Sequence, residues 1–215
     1  MSLTIACQLV SPLSVPESQP LPWLGPLPRP LPRHPLDPRP ARAYSLLLTK
    51  TAVTAWESQM ERTLIVLKPD AVQRQLVGRI VHRFEQKGLQ IVAMKMLHVG
   101  RDLARRMYAP HEGKDFYEGL MAFITSSPVV TMVLEGRGAI AVCRGLMGPT
   151  FGPAAPGGTI RGDFGMSMRY NLIHGSDSAD SAAREIPLFF HDDEIVRYDP
   201  AAMPWVYARS GDQWI

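Results

Sequence analysis

His174 stands in a chemically dense stretch: Gly175, Ser176, Asp177 and Ser178 follow it directly, and Glu185 comes shortly after. A neutral imidazole nitrogen is a competent nucleophile near neutral pH when an acceptor holds its other nitrogen in the right tautomer. Glu185 is the candidate acceptor. Leu172 and Ile173 read as extended, whereas Ser176, Asp177 and Ser178 are all good helix N-caps. The ring should therefore stand at a strand end beside a helix N-terminus, where free N–H groups and the positive end of the dipole favour an anion, phosphate above all. The residues thus point to a nucleophile for a phosphoryl group. A hydrogen-bonded structural histidine in a polar turn is the alternative reading of the same stretch.

The elements that must position this ring follow from periodicity. Ala179, Ala182, Ala183 and Ile186 keep a helical spacing, but Pro187 lacks an N–H and should break or restart the helix, leaving Glu185 at a bend. Upstream, residues 62–67 read as a buried strand ended by Lys68, Pro69 and Asp70. Val77, Ile80, Val81 and Phe84 predict an amphipathic helix over residues 76–87, stopped by Gly88. Residues 91–97 and 129–134 read as further strands, and residues 101–108, 115–125 and 138–146 as helices. A Gly/Pro-rich loop, residues 149–158, joins the last of these helices to Arg161.

The strings NLIHGSDS (residues 171–178) and SAAREI (residues 181–186) resemble the active-site signature of the nucleoside diphosphate kinases. The resemblance extends to ERTLIVLKPDAVQR (residues 61–74) and GTIRGDF (residues 158–164), and covers the chain from Met60 onward in the family's order. It implies that His174 carries the phosphoryl group, supported by Glu185, Ser176 and Tyr108. It assigns Lys68, Arg144, Thr150 and Arg161 to the nucleotide's phosphates, Phe116 and Met168 to the two faces of the base, and Asn171 to completing the pocket. For Tyr108 and Phe116, core packing is the alternative. Mg²⁺ would bridge phosphate oxygens, with Asp177 reaching it through water.

The chain departs from the family's pattern at three places. Lys114 stands where many relatives have Arg, Met168 where they usually have a smaller aliphatic residue, and Phe151-Gly152 where they commonly read Asn-Pro, although the loop's length is preserved.

Composition narrows the alternatives. Eleven of the 20 prolines fall between Pro12 and Pro40, which predicts an extended or disordered stretch over residues 1–59 and a globular domain over residues 60–215. Three readings of the first 59 residues stand open: a targeting presequence, a flexible extension, or sequence upstream of the true start, with Met60 as that start. Residues 1–60 hold five Lys/Arg and three Asp/Glu, leaving 18 against 17 for the rest, so the domain lacks the concentrated basic face that nucleic acid demands. Two cysteines, Cys7 and Cys143, make no disulfide framework or zinc spacing, and a reducing compartment, the cytoplasm, is expected. No apolar run approaches the roughly 18 residues a membrane span needs. No Gly-rich phosphate loop ending in Lys-Ser/Thr and no paired-His metal motif occurs, and His82, His98, His111 and His191 read as surface or helix residues.

The order of elements fits an α+β fold: a ferredoxin-like four-stranded antiparallel sheet, a doubled split β-α-β unit, with helices over one face. The order comes from patterning and the sheet topology from the resemblance. The expected activity is ping-pong transfer of a γ-phosphate from a nucleoside triphosphate to a nucleoside diphosphate through His174, in a homo-oligomer, hexamer or tetramer. The aromatic-bearing C-terminal segment, with Trp205 and Trp214, is expected to serve subunit packing. Two rivals remain: a non-catalytic nucleotide-binding scaffold, and a nucleic-acid binder working through the N-terminal tail.

Overall fold

The computed structural model describes residues 60–210 together with 213 and 214. The expectations for the first 59 residues and for Trp214's side chain lie outside that description. Four strands, β1 (Met60–Leu67), β2 (Gln90–Leu97), β3 (Val129–Arg137) and β4 (Ile173–Gly175), form one antiparallel sheet in the order β2-β3-β1-β4. This is the ferredoxin-like arrangement expected, with β1 and β3 at the centre. Residues 63–67 of β1 are all buried, because the strand carries apolar side chains to both faces.

That double burial corrects one expectation: helices cover both faces of the sheet, not one. On one side Ile65 and Leu67 pack with Ile80 and Phe84 of α2 (Val77–Gln86) and with Ala139, Cys143 and Met147 of α5 (Ala139–Met147). On the other, Leu64 and Val66 meet Ala104 and Met107 of α3 (Arg101–Met107), Met121 and Ile124 of α4 (Tyr117–Ile124), and Phe189 of α7 (Ala179–Phe189). Phe84 is fully buried, so truncating it to Ala would cost roughly 3–5 kcal/mol. Gly88 ends α2 at φ +87°, a conformation that suits glycine, and a Cβ there would run into the Val206 side chain.

Two short helices escape periodicity: α1 (Pro69–Gln73), begun by a proline in its first turn, and α6 (Ile160–Phe164), capped by the Thr159 hydroxyl. A second correction concerns Pro187. The helix α7 runs through it to Phe189, and Glu185 sits on the buried side of a continuous helix rather than at a bend. Pro187 lies in the last turn on an exposed side, where the carbonyl it leaves without a donor, that of Ala183, also lies at an exposed residue.

The C-terminal segment packs against its own sheet. Val196 N–H bonds to Val92 O at 2.8 Å, Gln90 Nε2 donates to Tyr198 O at 2.7 Å, and the Tyr198 hydroxyl donates to Ile91 O at 3.2 Å. Beyond these bonds comes α8 (Met203–Val206), whose Trp205 is 91% exposed. A two-residue ladder, β5 (Arg209–Ser210) with β6 (Gln213–Trp214), closes the described chain.

Candidate active site

The strand β4 brings His174 beside Val66 of β1, so the ring projects from the sheet's edge strand. Its Nε2 lies 2.9 Å from Glu185 Oε2, and the Ser176 hydroxyl donates to the same oxygen at 2.8 Å. Arg184 Nη2 donates to Glu185 Oε1 at 3.3 Å. Burial pushes the Glu185 carboxyl up, but the bonds from His174 and Ser176 and the charges around them outweigh it and hold the group below the usual carboxylate range. An ionised carboxylate only accepts, so Nε2 carries the imidazole proton and Nδ1 keeps its lone pair.

Ser176 is itself 1% exposed and locks β4 to the sheet, its backbone N–H reaching Leu64 O at 3.1 Å. The Tyr108 ring stands edge-on to the imidazole, centroids 6.0 Å apart and planes at 84°. Tyr108 is buried, its hydroxyl has no hydrogen-bond partner among the described residues, and burial followed by the Glu185 charge raises its pKa.

A cleft of about 930 Å³ opens in front of the ring. Lys68, Tyr108, Phe116, Arg144, Thr150, Arg161, Met168, Asn171, His174, Asp177 and Glu185 all line it, while Ser176 lies behind Glu185. Every residue singled out on sequence is therefore at or next to one cavity. Phe116 and Met168 are each about half exposed on its walls.

The positive side of the cleft is built unevenly. Lys68 is buried, with Nζ donating to Asn171 Oδ1 at 2.7 Å, and burial followed by the neighbouring Arg161 pushes its pKa down to about 8. Arg161 is 3% exposed, and its guanidinium grips three backbone carbonyls: Gly148 at 2.8 Å, Asn171 at 3.2 Å and Ile173 at 2.6 Å. Burial, then the charge of Arg144, lowers its pKa to about 10. Asn171 completes the lattice by donating Nδ2 to Thr150 O at 3.0 Å. Arg161 is thus a fastener of the loops around the ring as well as part of the cleft wall.

The N-terminus of α7 is likewise more occupied than expected. The Ser178 hydroxyl accepts from Ser181 N–H, and the Ser181 hydroxyl accepts the N–H groups of Asp177 and Ser178 at 3.1 and 2.9 Å. Lys68, Arg144 and Arg161 supply positive charge in the same cleft. Asp177 Oδ1 takes the hydroxyls of Ser181 and Ser178, bonds that keep its pKa low. No cluster of three His, Cys, Asp or Glu side chains able to hold a metal occurs among the described residues.

One residue was set aside on sequence and belongs here. His111 lines the cleft, stacked on Tyr108 at 6.1 Å and edge-on to Phe116 at 5.6 Å. Burial and then Lys114, whose Nζ is 3.2 Å from Nδ1, push its pKa down. Its only sequence signal was its closeness to Tyr108 and Phe116. Across the cleft, the departure at Gly152 has a packing reason: a Cβ there would stand 2.5 Å from Gly165 O, so the two backbones touch.

A family model described as nucleoside diphosphate kinase matches residues 61–195. The nucleoside diphosphate kinase of Archaeoglobus fulgidus is 54% identical over 148 residues, 69% of this chain and 98% of that protein. That of Carboxydothermus hydrogenoformans is 51% identical over the same length, 69% of this chain and 99% of the relative. Among solved structures, a halophilic nucleoside diphosphate kinase from Halobacterium salinarum in complex with CDP superposes with a TM-score of 0.67 at 52% identity, covering 68% of this chain and 98% of that one. A transition-state mimic of the Borrelia burgdorferi nucleoside-diphosphate kinase, with bound vanadate and ADP, gives 0.65 at 40% identity, covering 69% and 97%.

Proposed function

This chain belongs to the nucleoside diphosphate kinase family and catalyses its γ-phosphoryl transfer, and from that premise we propose that His174 Nδ1 is the atom that carries the phosphate. The observation that carries the assignment is the 2.9 Å contact between His174 Nε2 and the buried Glu185 carboxylate, made at the wall of a cleft that Lys68, Arg144 and Arg161 also line. The Nδ1 lone pair attacks the γ-phosphorus of a nucleoside triphosphate. The bond from that phosphorus to the β-phosphate's bridging oxygen breaks, and the diphosphate leaves with those electrons. A second nucleoside diphosphate then attacks the phosphohistidine with a terminal β-phosphate oxygen, the P–N bond breaks, and Nδ1 regains its lone pair. One cleft serves both halves, which is why its walls suit the shared parts of every nucleotide.

Lys68 and Arg144 bind the transferring phosphates, Arg161 adds charge at short range while holding the loops, and Thr150 and Asn171 close the pocket. Tyr108 shapes the approach to the ring. Phe116 and Met168 embrace the base, and relatives that hold CDP in one case and ADP in another support a site tolerant of base identity. A Mg²⁺ would arrive on the nucleotide, neutralising phosphate charge, with Asp177 within reach through water. The cleft fits that role, since its cations serve phosphate oxygens and its single exposed carboxylate offers no cage.

Residues 60–215 form the catalytic domain in this reading, and residues 1–59 an extension to it. The protein works in the cytoplasm as a homo-oligomer, hexamer or tetramer, in keeping with exposed Met94, Met96, Met166 and Trp205. Dedicated nucleic-acid binding is not expected of it. Incubation with γ-³²P-ATP alone tests the central claim. Wild type is expected to take up acid-labile, alkali-stable label and to pass it to added diphosphate, and H174A to take up none. Equal labelling of H174A would overturn the assignment.

A further inference from the structure

Between Asn171 and His174 the backbone takes an unusual path. Leu172 is fully buried and has φ +69°, the left-handed region that residues with a β-carbon enter only when the surroundings hold them there. The turn is closed by the Ile173 N–H, which donates to Asn171 O at 2.8 Å, and it is held from outside by the turn after β1. The Leu172 N–H donates to Asp70 Oδ2 at 3.0 Å, and Leu172 O accepts from Lys68 N–H at 2.8 Å. Its two neighbours are the working parts of the cleft. Asn171 bridges Lys68 Nζ and Thr150 O, and Ile173 opens β4, pairing with Leu67 one residue before His174 pairs with Val66.

We infer that Asp70 is a positioning residue for phosphoryl transfer: by gripping the Leu172 N–H it holds the left-handed turn that sets Asn171 and His174 at their mutual spacing. Without the carboxylate, a fully buried residue would carry an N–H with no acceptor, in a conformation that its own side chain disfavours. The peptide between Asn171 and Leu172 would rotate to relieve both. That rotation carries the Asn171 amide off Lys68 and its carbonyl off Arg161, and shifts the entry to β4. The other carboxylate oxygen, Asp70 Oδ1, is buried and has no hydrogen-bond partner among the described residues, so the backbone grip at Leu172 is this side chain's principal bond. Asp70 touches no substrate in this scheme. It acts through the geometry of a nucleophile that must meet phosphorus within a few tenths of an ångström.

The inference rests on His174 as the phosphate carrier, and the test separates the two. Single-turnover labelling from γ-³²P-ATP is measured for wild type, D70A, D70N, L172G and D70A/L172G, with ADP affinity measured in parallel. D70A is expected to slow labelling by roughly tenfold to a hundredfold while ADP affinity changes by less than about threefold. D70N keeps an acceptor oxygen and should restore most of the rate. Glycine at 172 removes the penalty on the left-handed turn, so D70A should lose less than about threefold in the L172G background. A D70A rate within twofold of wild type overturns the inference, as does an equal loss in D70A and D70N, or an undiminished loss in L172G. Amide hydrogen exchange at Leu172 in the unmodified protein checks the grip directly, and exchange at an unprotected rate overturns it even if D70A fails to fold. No label on wild-type His174 would instead fault the carrier assignment.

Discussion

Glu185 Oε2 receives both the imidazole Nε2 of His174, at 2.9 Å, and the hydroxyl of Ser176, at 2.8 Å. One buried oxygen therefore sets the proton's place on the ring and is itself set by the side chain that directly follows β4. Replacing it by Gln leaves the shape and reverses the logic, because an amide nitrogen turned to Nε2 would favour the proton on Nδ1. E185Q should slow His174 labelling by about 10²–10⁴-fold, the scale at which a misplaced imidazole proton is felt. The stability consequence has a sign. The folded carboxyl titrates below its ordinary value, so its stabilisation is present above about pH 4 and disappears as pH falls through the depressed value. Thermal melts of wild type should fall more steeply than those of E185Q in that acid window; parallel curves would contradict the depressed pKa.

Lys68 makes the opposite statement at alkaline pH. With its pKa lowered to about 8 from 10.5, the free protein loses this proton where an unfolded chain keeps it. The folded state binds fewer protons between those values, so stability gained from this group rises with pH across the interval, by an amount on the order of 3 kcal/mol in total. Activity runs the other way, since only the ammonium neutralises phosphate. The kcat/KM profile for ATP should descend near pH 8, the kcat profile should descend at higher pH because bound phosphate restores the proton, and K68Q should show a low rate without that limb. Coincident limbs in kcat and kcat/KM would argue against Lys68 as the titrating group.

The two arginines of the cleft should separate cleanly. Arg161 donates to the carbonyls of Gly148, Asn171 and Ile173, so R161A removes three bonds from a buried site, although Asn171 O keeps the Ile173 N–H, and should cost about 3–5 kcal/mol in urea unfolding. Arg144 lines the cleft from α5, and R144A should raise KM for nucleoside triphosphates by roughly tenfold with unfolding changed by less than about 1 kcal/mol. Equal destabilisation by both substitutions would show that the carbonyl contacts carry no particular weight.

What could be seen in the chain beforehand followed its physics. The apolar runs around Leu64, Val92 and Val133 read as strands and the helix of Ile80 and Phe84 has a clear period, whereas the His174 stretch leaves a nucleophile and a structural histidine both open until the resemblance decides between them. The resemblance supplied the strand order. The second helical layer stayed hidden because a strand buried on both faces, such as β1, shows a continuous apolar run that does not say what covers it. Pro187 misled because a helix tolerates proline in an exposed last turn. His111 sits in an irregular turn, Ala109–His111, where no period points its ring anywhere. The grip of Arg161 on three carbonyls leaves no mark in a sequence, since every residue has a carbonyl to offer.

Phe116 offers the last test, on substrate breadth. It stands half exposed on the cleft wall, with Lys114 Nζ 5.8 Å over its ring and His111 meeting it edge-on. A phenyl face attracts any nucleobase through stacking, worth about 1–3 kcal/mol, and does so without reading hydrogen-bonding edges. F116A should therefore raise KM for ATP, GTP, CTP and UTP together, by roughly 5-fold to 150-fold at that scale, while their ratios move by less than about threefold. F116W keeps a π-face and should stay near wild type. Steady-state kinetics on all four triphosphates decide the matter: a loss confined to one base would mean that the ring belongs to a specific contact, and no loss at all would return Phe116 to simple packing against His111.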